Sequence, residues 1–357
     1  MDAPEQPSAR ATDAVDRGEL LHDLWYYAMP SRALGRGRTV AKTLFGTPLL
    51  FGRTDDGDAF SLIDICPHRG MPFRYGHFDG QEVECCYHGW RFDRTGACTA
   101  IPSLVPGQHI NLSRIRARRF PCHESHGNLW VFAGVDAGVA PPPPAIPDIG
   151  ARSPRIVERM YFPCHVDHAV VGLMDPAHGP FVHQAWWWRS RRSVHEKAKE
   201  FAPSELGFRM LPHAPSSNSA GYKLLGGKPT TEITFRLPGV RIEHIRVGER
   251  AVVGLTAATP IDHRSTELHH VIYWTIPWLS ALRPALRPFA RAFLRQDRDI
   301  MVKQQDGLAH DPSLMLINDA DMQARWYFKL KRAWQTSRAT GCPFENPVRE
   351  TTLRWRS

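Results

Sequence analysis

The 357-residue sequence has no long apolar run and lacks several common motifs, and each of these absences argues against one class of protein. No stretch approaches the roughly 20 apolar residues that span a bilayer, so we expect no membrane span. Residues 1–18 carry no apolar h-region, so we expect no secretory signal and a cytoplasmic location. The absence of a Gly-x-Gly-x-x-Gly fingerprint argues against a dinucleotide site. No basic motif interleaved with aromatic residues appears, which argues against a nucleic-acid partner.

Cysteine is scarce, with seven residues, an odd number that does not fit a disulfide framework. Two of them lie in the metal motif described next. The other five are expected to be free thiols in a reducing compartment, namely Cys86, Cys98, Cys122, Cys164 and Cys342. The net charge of +9 is consistent either with solubility alone or with docking of an acidic partner such as a small ferredoxin.

Two short loops each carry one cysteine and one histidine. Cys66 and His68 form Cys-x-His, and after sixteen intervening residues Cys85 and His88 form Cys-x-x-His. This set suits a [2Fe–2S] cluster in which two histidines replace two cysteines on one iron. A structural zinc site also takes two Cys and two His. Zinc fingers usually pair Cys with Cys and His with His, whereas here each loop mixes the two types.

Turn signals and proline content divide the chain. We expect a disordered N-terminus at 1–20 and an all-β domain at 21–140, with short strands and a hairpin turn at Asp55-Asp-Gly. A proline-rich linker at 141–150 marks the junction. The region 151–336 has strand-like runs followed by helical periodicity, and 337–357 reads as a loosely ordered tail. The predicted fold class is α+β, the second domain being an antiparallel sheet flanked by helices.

A second group of potential metal ligands follows the linker, in the pattern Asp-x-x-His-x-x-x-x-His. On a helix, Asp175 and His178 would share a face because they are three residues apart. Gly179 and Pro180 would then disturb the helix, so that His183 could meet His178 at one metal. Two histidines with one carboxylate form the facial triad of mononuclear non-haem Fe(II) oxygenases. The alternative is that these side chains are solvated or hydrogen-bonded in the core.

With both groups in this order, the chain from about residue 22 to 335 resembles the oxygenase component of Rieske non-haem iron oxygenases. The segment Met174-Asp-Pro-Ala-His178 is similar in sequence to the pheophorbide a oxygenase and vanillate demethylase branches. The resemblance implies that the four loop residues hold a Rieske cluster and that His178 and His183 bind iron. It also implies that Asp175 bridges His178 to a cluster histidine of a neighbouring subunit in a homotrimer.

The resemblance places the third iron ligand on a late helix that precedes a glutamine. Asp297 is preferred over Asp299, because Asp297 and Gln304 are seven residues apart and share a helical face. One departure concerns Val171-Gly172, which stands where the family often has an acidic residue followed by Asn.

The implied function is a terminal oxygenase that uses O2 and electrons from NAD(P)H, delivered through a separate reductase, a ferredoxin or both. It would hydroxylate or demethylate an aromatic or other apolar substrate. Alternatives are a ring-hydroxylating dioxygenase and, from other classes, a Rieske electron carrier or a zinc-stabilised binding protein. Trp186, Trp187 and Trp188 are either an aromatic substrate wall or core and interface residues. The nearby Arg189, Arg191 and Arg192 are expected to be solvated or to face the ferredoxin.

Overall fold

The computed structural model of the chain describes residues 19–183, 194–214 and 227–357, and the following account is confined to them. Strands dominate these ranges, and they form antiparallel sheets that are covered on one side by helices. The predicted α+β class, with an all-β part preceding an antiparallel sheet and helices, is confirmed. None of the described helices is long and apolar enough to cross a bilayer.

The N-terminal β unit, residues 25–132, contains three small sheets. The first consists of Trp25–Pro30 (β1), Cys122–Ser125 (β10) and Asn128–Phe132 (β11), with β11 in the middle. The second joins, in this order, Arg38–Leu44 (β2), Thr47–Arg53 (β3), Ala59–Ile63 (β4) and Arg119–Phe120 (β9). The third joins His77–Phe78 (β5), Val83–Glu84 (β6), Arg91–Phe92 (β7) and Cys98–Ala100 (β8). The hairpin predicted at Asp55–Gly57 connects β3 to β4, and Gly57 adopts a φ of +105° that an L side chain rarely tolerates.

One large antiparallel sheet forms the second half of the chain. Its strands are Ile156–Phe162 (β12), Glu196–Ser204 (β13), Gly207–His213 (β14), Thr230–Arg236 (β15), Val240–Val247 (β16), Arg250–Pro260 (β17), Thr266–Trp274 (β18) and Thr351–Arg356 (β19). They lie in the order β12-β18-β17-β16-β15-β14-β13-β19. Consecutive strands from β13 to β18 are therefore neighbours in the sheet.

The large sheet is covered on both faces. One face buries aliphatic and aromatic side chains such as Leu255, Val271 and Tyr273 against Tyr27 and Trp130 of the N-terminal β unit. The other face packs against helices. Burial of one such large side chain is worth roughly 1.5–3 kcal/mol, so the two halves of the chain share a substantial core.

Polar contacts fix the seam between the halves. Thr259 Oγ1 donates to the Tyr27 carbonyl at 2.9 Å. Lys42 of β2 pairs with Glu267 of β18, and both side chains are 11% exposed. Since a buried charge is costly unless paired, this ion pair favours one relative position of the two halves.

Four α-helices are present in the described ranges: Val166–Met174 (α1), Gly179–Val182 (α2), Arg283–Leu308 (α3) and Met322–Thr340 (α4). Pro284 lies in the first turn of α3, where its missing N–H costs nothing. Gly341 ends α4 in the left-handed conformation, with a φ of +73°. The candidate iron ligands His178 and His183 flank α2, and Asp297 lies on α3, which packs against both α1 and α2.

The structure bears on three segments whose bounds were predicted from the sequence: the C-terminal tail, the linker and the N-terminus. The expectation of a loosely ordered tail at 337–357 is wrong, because α4 continues to Thr340 and β19 is the edge strand paired with β13. Leu353 and Trp355 alternate with polar residues and bury one face of β19. The linker at 141–150 is packed rather than free, since Ile146 and Ile149 are buried against the large sheet. Residues 1–18 lie outside the described residues, while Leu20 is buried.

Candidate metal centres

The two Cys-His loops have the same backbone design. Cys66 donates its N–H to the carbonyl five residues on, and its own carbonyl accepts from Gly70 at 3.0 Å. Cys85 repeats both contacts, its carbonyl accepting from Gly89 at 2.9 Å. Gly70 and Gly89 have φ values of +74° and +70°, which only glycine adopts at little cost. Each loop therefore turns tightly around its cysteine.

The loops bring the four predicted cluster ligands to one place. Cys66 and Cys85 are each 2% exposed, and their side chains are close enough for Cys85 to affect the ionisation of Cys66. Burial raises the pKa of Cys66 to about 11, and the neighbouring Cys85 adds to the rise. His68 and His88 lie nearer the surface with ring centroids 4.5 Å apart. The thiols thus face inward and the imidazoles outward.

This donor set fits a Rieske cluster better than a single zinc ion. Among the described residues, only one group brings three potential ligand atoms within 4.8 Å of one another, and it is not this one. Ligands of one tetrahedral zinc lie about 2.0–2.3 Å from the metal, so their atoms must be closer together than that limit. The wider spread of two buried sulfurs and two outer nitrogens is what a two-iron cluster requires.

The second centre begins where α1 ends. Asp175 follows the last residue of α1 and precedes Pro176, and a residue before proline is disfavoured in the helical region. Its φ and ψ are accordingly −62° and 117°. Asp175 Oδ1 accepts from the Ala177 N–H at 2.7 Å, which tightens the turn. The expectation that Asp175 and His178 share one helix is therefore wrong, yet the turn still places them together, with His178 Nδ1 3.5 Å from Asp175 Oδ2.

The short helix α2 separates the two histidines. His178 precedes its first residue and His183 follows its last, so Gly179 and Pro180 form a helix instead of disturbing one. The two Nε2 atoms lie 3.1 Å apart. Asp297 of α3 completes the group, with Oδ1 3.1 Å from His183 Nε2 and 3.6 Å from His178 Nε2. These three are the residues whose ligand atoms lie within 4.8 Å of one another.

The other acidic candidate on α3 lies elsewhere. Asp299 is 51% exposed, and its carboxylate is 3.5 Å from Arg298 Nη1. Two residues along a helix correspond to about 200° of rotation, so Asp297 and Asp299 face nearly opposite directions. The geometry therefore favours Asp297, as predicted from its spacing to Gln304.

Two residues that the sequence did not single out hold His183. Gln296 Oε1 lies 3.0 Å from His183 Nδ1. The Phe293 ring stacks on the imidazole with centroids 3.7 Å apart and an interplanar angle of 16°. Helical spacing could have indicated Phe293, because it is four residues before Asp297 and so lies on the same face of α3.

Charge is distributed unevenly over this centre. Burial disfavours the charged form of Asp175, but the contact with His178 outweighs it and holds the pKa of Asp175 below its ordinary value. Burial likewise opposes a charge on His178, yet Asp175 and then Asp297 raise its pKa. The group thus has excess negative charge that a cation would neutralise.

A neutral histidine lies on the helix-facing side of the large sheet. His270 of β18 is opposite Thr256 of β17, and their Nδ1 and Oγ1 atoms are 2.9 Å apart. Burial lowers the pKa of His270 to about 4, while the charge of Asp297 acts weakly in the other direction. No local pattern singles out His270, because its place in the structure depends on the strand register.

Gly172 of α1, which stands where the family often has Asn, is closely approached by the flexible side chain of Met301. A Cβ at this position would lie 3.2 Å from Met301 Cε. A cavity of about 190 Å³ adjoins it, bounded by Asp175 and by residues of α3 and α4. Trp186, Trp187, Trp188, Arg189, Arg191 and Arg192 lie outside the described residues, so the aromatic-wall prediction stays a prediction.

The donor types at the second centre fit a mononuclear iron. Two imidazole nitrogens and one carboxylate oxygen lie within 4.8 Å of one another. This is the donor set of the facial triad in non-haem Fe(II) sites. Comparison with known protein families agrees with the loop geometry: residues 24–121 match the Rieske [2Fe-2S] domain. The chain carries a Rieske domain.

The relatives of this chain include proteins named as oxygenases or as oxygenase components. Dicamba O-demethylase, oxygenase component, from Stenotrophomonas maltophilia is 32% identical over 169 residues, which are 46% of this chain and 48% of that protein. Pheophorbide a oxygenase from Oryza sativa subsp. japonica is 27% identical over 251 residues, covering 66% of this chain and 44% of that protein. The chain thus spans less than half the length of these curated relatives.

The fold agrees over most of the chain. The crystal structure of dicamba monooxygenase bound to dicamba superposes with a TM-score of 0.71 at 22% identity, covering 89% of this chain and all of that one. The predicted resemblance to Rieske non-haem iron oxygenase components, made from the two motifs, is confirmed.

Proposed function

We propose that the protein is the terminal oxygenase component of a multicomponent Rieske-type monooxygenase. The observation that carries the proposal is the occurrence in one chain of the mixed Cys-His loops and of the His178, His183 and Asp297 group. An electron carrier would need only the loops and would leave the second group without a role. A zinc-stabilised binding protein is disfavoured by the spread of the four loop ligands.

In this proposal Cys66, His68, Cys85 and His88 hold the [2Fe–2S] cluster, and His178, His183 and Asp297 hold the mononuclear iron. When bound, the two groups supply electron storage and O2 activation respectively. At the second centre, the contribution of the chain is to hold His178 and His183 in the tautomer whose Nε2 is free for metal, through an acceptor at Nδ1. Asp175 does this for His178.

Asp175 has a second proposed role, between subunits. Its side chain is 32% exposed although it contacts His178, so a partner can reach it. His68 and His88 are partly exposed on their own loops. We therefore propose a homotrimer in which one cluster histidine meets Asp175 of a neighbouring subunit, giving a hydrogen-bonded connection between the two metal centres.

The proposed reaction is hydroxylation or demethylation of an aromatic or other apolar substrate with O2. The relatives include a protein named for O-demethylation and one named for oxygenation of pheophorbide a. His270 offers a neutral hydrogen-bonding group on the sheet side of the centre, which suits a substrate with one polar substituent. A ring-hydroxylating dioxygenase is the alternative within the same class.

The proposed partners are a ferredoxin, an NAD(P)H-dependent reductase or both, in the cytoplasm. The net charge of +9 favours an acidic partner, since opposite charges raise the rate of encounter. We expect the dependence of turnover on salt to be strong for the same reason.

The experiment is O2 consumption by the reconstituted protein with a generic reductase over methoxyaromatics, aromatic acids, sterols and tetrapyrroles. We expect substrate-dependent O2 uptake with product formed, and none in His183→Ala. Labelled O2 distinguishes one incorporated oxygen atom from two, hence monooxygenase from dioxygenase. Protein that contains both metal centres, receives electrons and forms no product from any class in the panel would contradict the proposal.

A further inference from the structure

The side chain of Gln296 contacts His183 at the proposed iron centre, and it is neither a proposed ligand nor the proposed bridge between subunits. We propose that Gln296 is a positioning residue, which accepts a hydrogen bond from His183 Nδ1 and so fixes the imidazole for metal binding through Nε2. The inference rests on the proposed iron site, but it concerns the way in which the chain prepares one ligand of that site.

The geometry around His183 leaves its ring little freedom. Gln296 Oε1 lies 3.0 Å from Nδ1, within the range of a hydrogen bond. Phe293 stacks on the ring at 3.7 Å and limits motion out of the ring plane. Rotation within the plane is limited by the hydrogen bond. His183 is only 4% exposed, so water cannot readily replace Gln296 as the acceptor.

The hydrogen bond also selects the tautomer. A neutral imidazole carries one proton, and a carbonyl oxygen at Nδ1 favours the form with the proton on that nitrogen. Nε2 then presents its lone pair towards His178 Nε2, at 3.1 Å, and Asp297 Oδ1, also at 3.1 Å. Without an acceptor at Nδ1 both tautomers become accessible, and one of them cannot bind a metal through Nε2.

The two histidines are held by partners of different charge. His178 has the carboxylate of Asp175 at Nδ1, whereas His183 has the neutral amide of Gln296. A second outer carboxylate would place another negative charge beside Asp175 and Asp297. The amide supplies the acceptor without that charge, so Gln296→Glu preserves the hydrogen bond and Gln296→Leu removes it with similar volume.

Gln296 is adjacent to Asp297 on α3, so the two residues reach the two ring nitrogens of His183 from one place on the helix. The same turn of helix that supplies the carboxylate ligand also supplies the acceptor for His183. A matched control lies farther along α3, where Gln305 Nε2 donates to the Met301 carbonyl at 3.4 Å. Gln305→Leu makes the same chemical change on the same helix without touching a proposed ligand.

The experiment uses the full chain with its cluster loaded and the mononuclear iron removed by a chelator. Co(II) is titrated into wild type, Gln296→Leu, Gln296→Glu and Gln305→Leu, and binding is followed by visible d–d absorption. Cluster absorption and far-ultraviolet circular dichroism report whether each variant is folded. We expect Gln296→Leu to weaken Co(II) binding about 10–100-fold, the usual effect of removing an outer-shell partner. Gln296→Glu and Gln305→Leu should remain within a few-fold of wild type.

Two results would overturn the proposal: Gln296→Leu binding Co(II) as tightly as Gln305→Leu, or Gln296→Glu binding as weakly as Gln296→Leu. The second result would mean that shape rather than the acceptor matters. Failure of the proposed iron site itself would give a different result. Wild type would then bind no Co(II), or would bind it equally well after His183→Ala.

Discussion

A buried ion pair at the start of α1 gives the sharpest stability prediction. Asp167 is 2% exposed and accepts from Lys331 Nζ at 2.8 Å and from Tyr327 Oη at 2.5 Å, both on α4. Helix α1 ends at the turn that carries Asp175 and His178. The pair therefore fixes α1 relative to α4 on the side of the candidate iron centre.

Replacing Asp167 with Asn keeps the shape but removes the charge that neutralises Lys331. Lys331 is 4% exposed, so its ammonium would remain buried without a counter-ion. Removing one partner of a buried pair costs about 3–5 kcal/mol. The free energy of unfolding, measured by urea denaturation at pH 7 with circular dichroism, should fall by that amount. The double variant Asp167→Leu with Lys331→Met should recover most of it, because no charge is then left unpaired.

The pH dependence of this difference has a defined sign. Burial alone would raise the pKa of Asp167, but contacts with His165 and Lys331 outweigh it and hold the pKa below its ordinary value. A lowered pKa in the folded state gives stability that is present above the unfolded value, about 3.9, and is lost as pH falls through the folded value. The gap between wild type and Asp167→Asn should therefore be constant above about pH 5 and shrink below pH 4.

An exposed pair is the control. Glu196 and Arg354 are 55% and 65% exposed, so Glu196→Gln should change the free energy of unfolding by less than about 1 kcal/mol. If Asp167→Asn also changed it by less than about 1 kcal/mol, the pair would not be the anchor of α1 that its burial indicates.

Three further predictions concern the metal centres. Asp297→Asn should lose mononuclear metal while Asp299→Asn keeps it, measured by metal analysis; equal loss would contradict the assignment of Asp297. Asp175→Asn should keep both metals yet slow electron transfer in single-turnover kinetics, and wild-type rates with full coupling would refute its bridging role. Gly70→Ala and Gly89→Ala should each lower cluster occupancy, because a Cβ at positive φ costs about 1–2 kcal/mol. Unchanged visible absorption per protein would show that the loops tolerate the strain.

The residues proposed as metal ligands could be selected from the sequence because most of the information is local. Cys66, His68, Cys85 and His88 lie in two loops whose residue types and spacing state the donor set. Asp297 is more distant in sequence, but its position on a helix could be judged from periodicity. Its approach to the two histidines depends in addition on the packing of α3 against α2.

Other features could not be predicted, for physical reasons. The contact of Gln296 with His183 depends on the rotation of α3 relative to α2, which no local pattern encodes. The pairing of β19 with β13 joins residues about 150 positions apart, although the alternation at Leu353 and Trp355 was a readable strand signal. The assumption of one helix through Asp175 and His178 overlooked Pro176, which disfavours helical geometry at the preceding residue.

We propose that one chain holds two iron centres of different kinds. Iron and acid-labile sulfide analysis, with electron paramagnetic resonance of the reduced protein, tests this proposal in wild type and in His183→Ala. We expect about three irons and two sulfides per chain in wild type, and about two irons with an unchanged Rieske signal in the variant. Zinc in place of iron, or loss of the Rieske signal in folded His183→Ala, would contradict it.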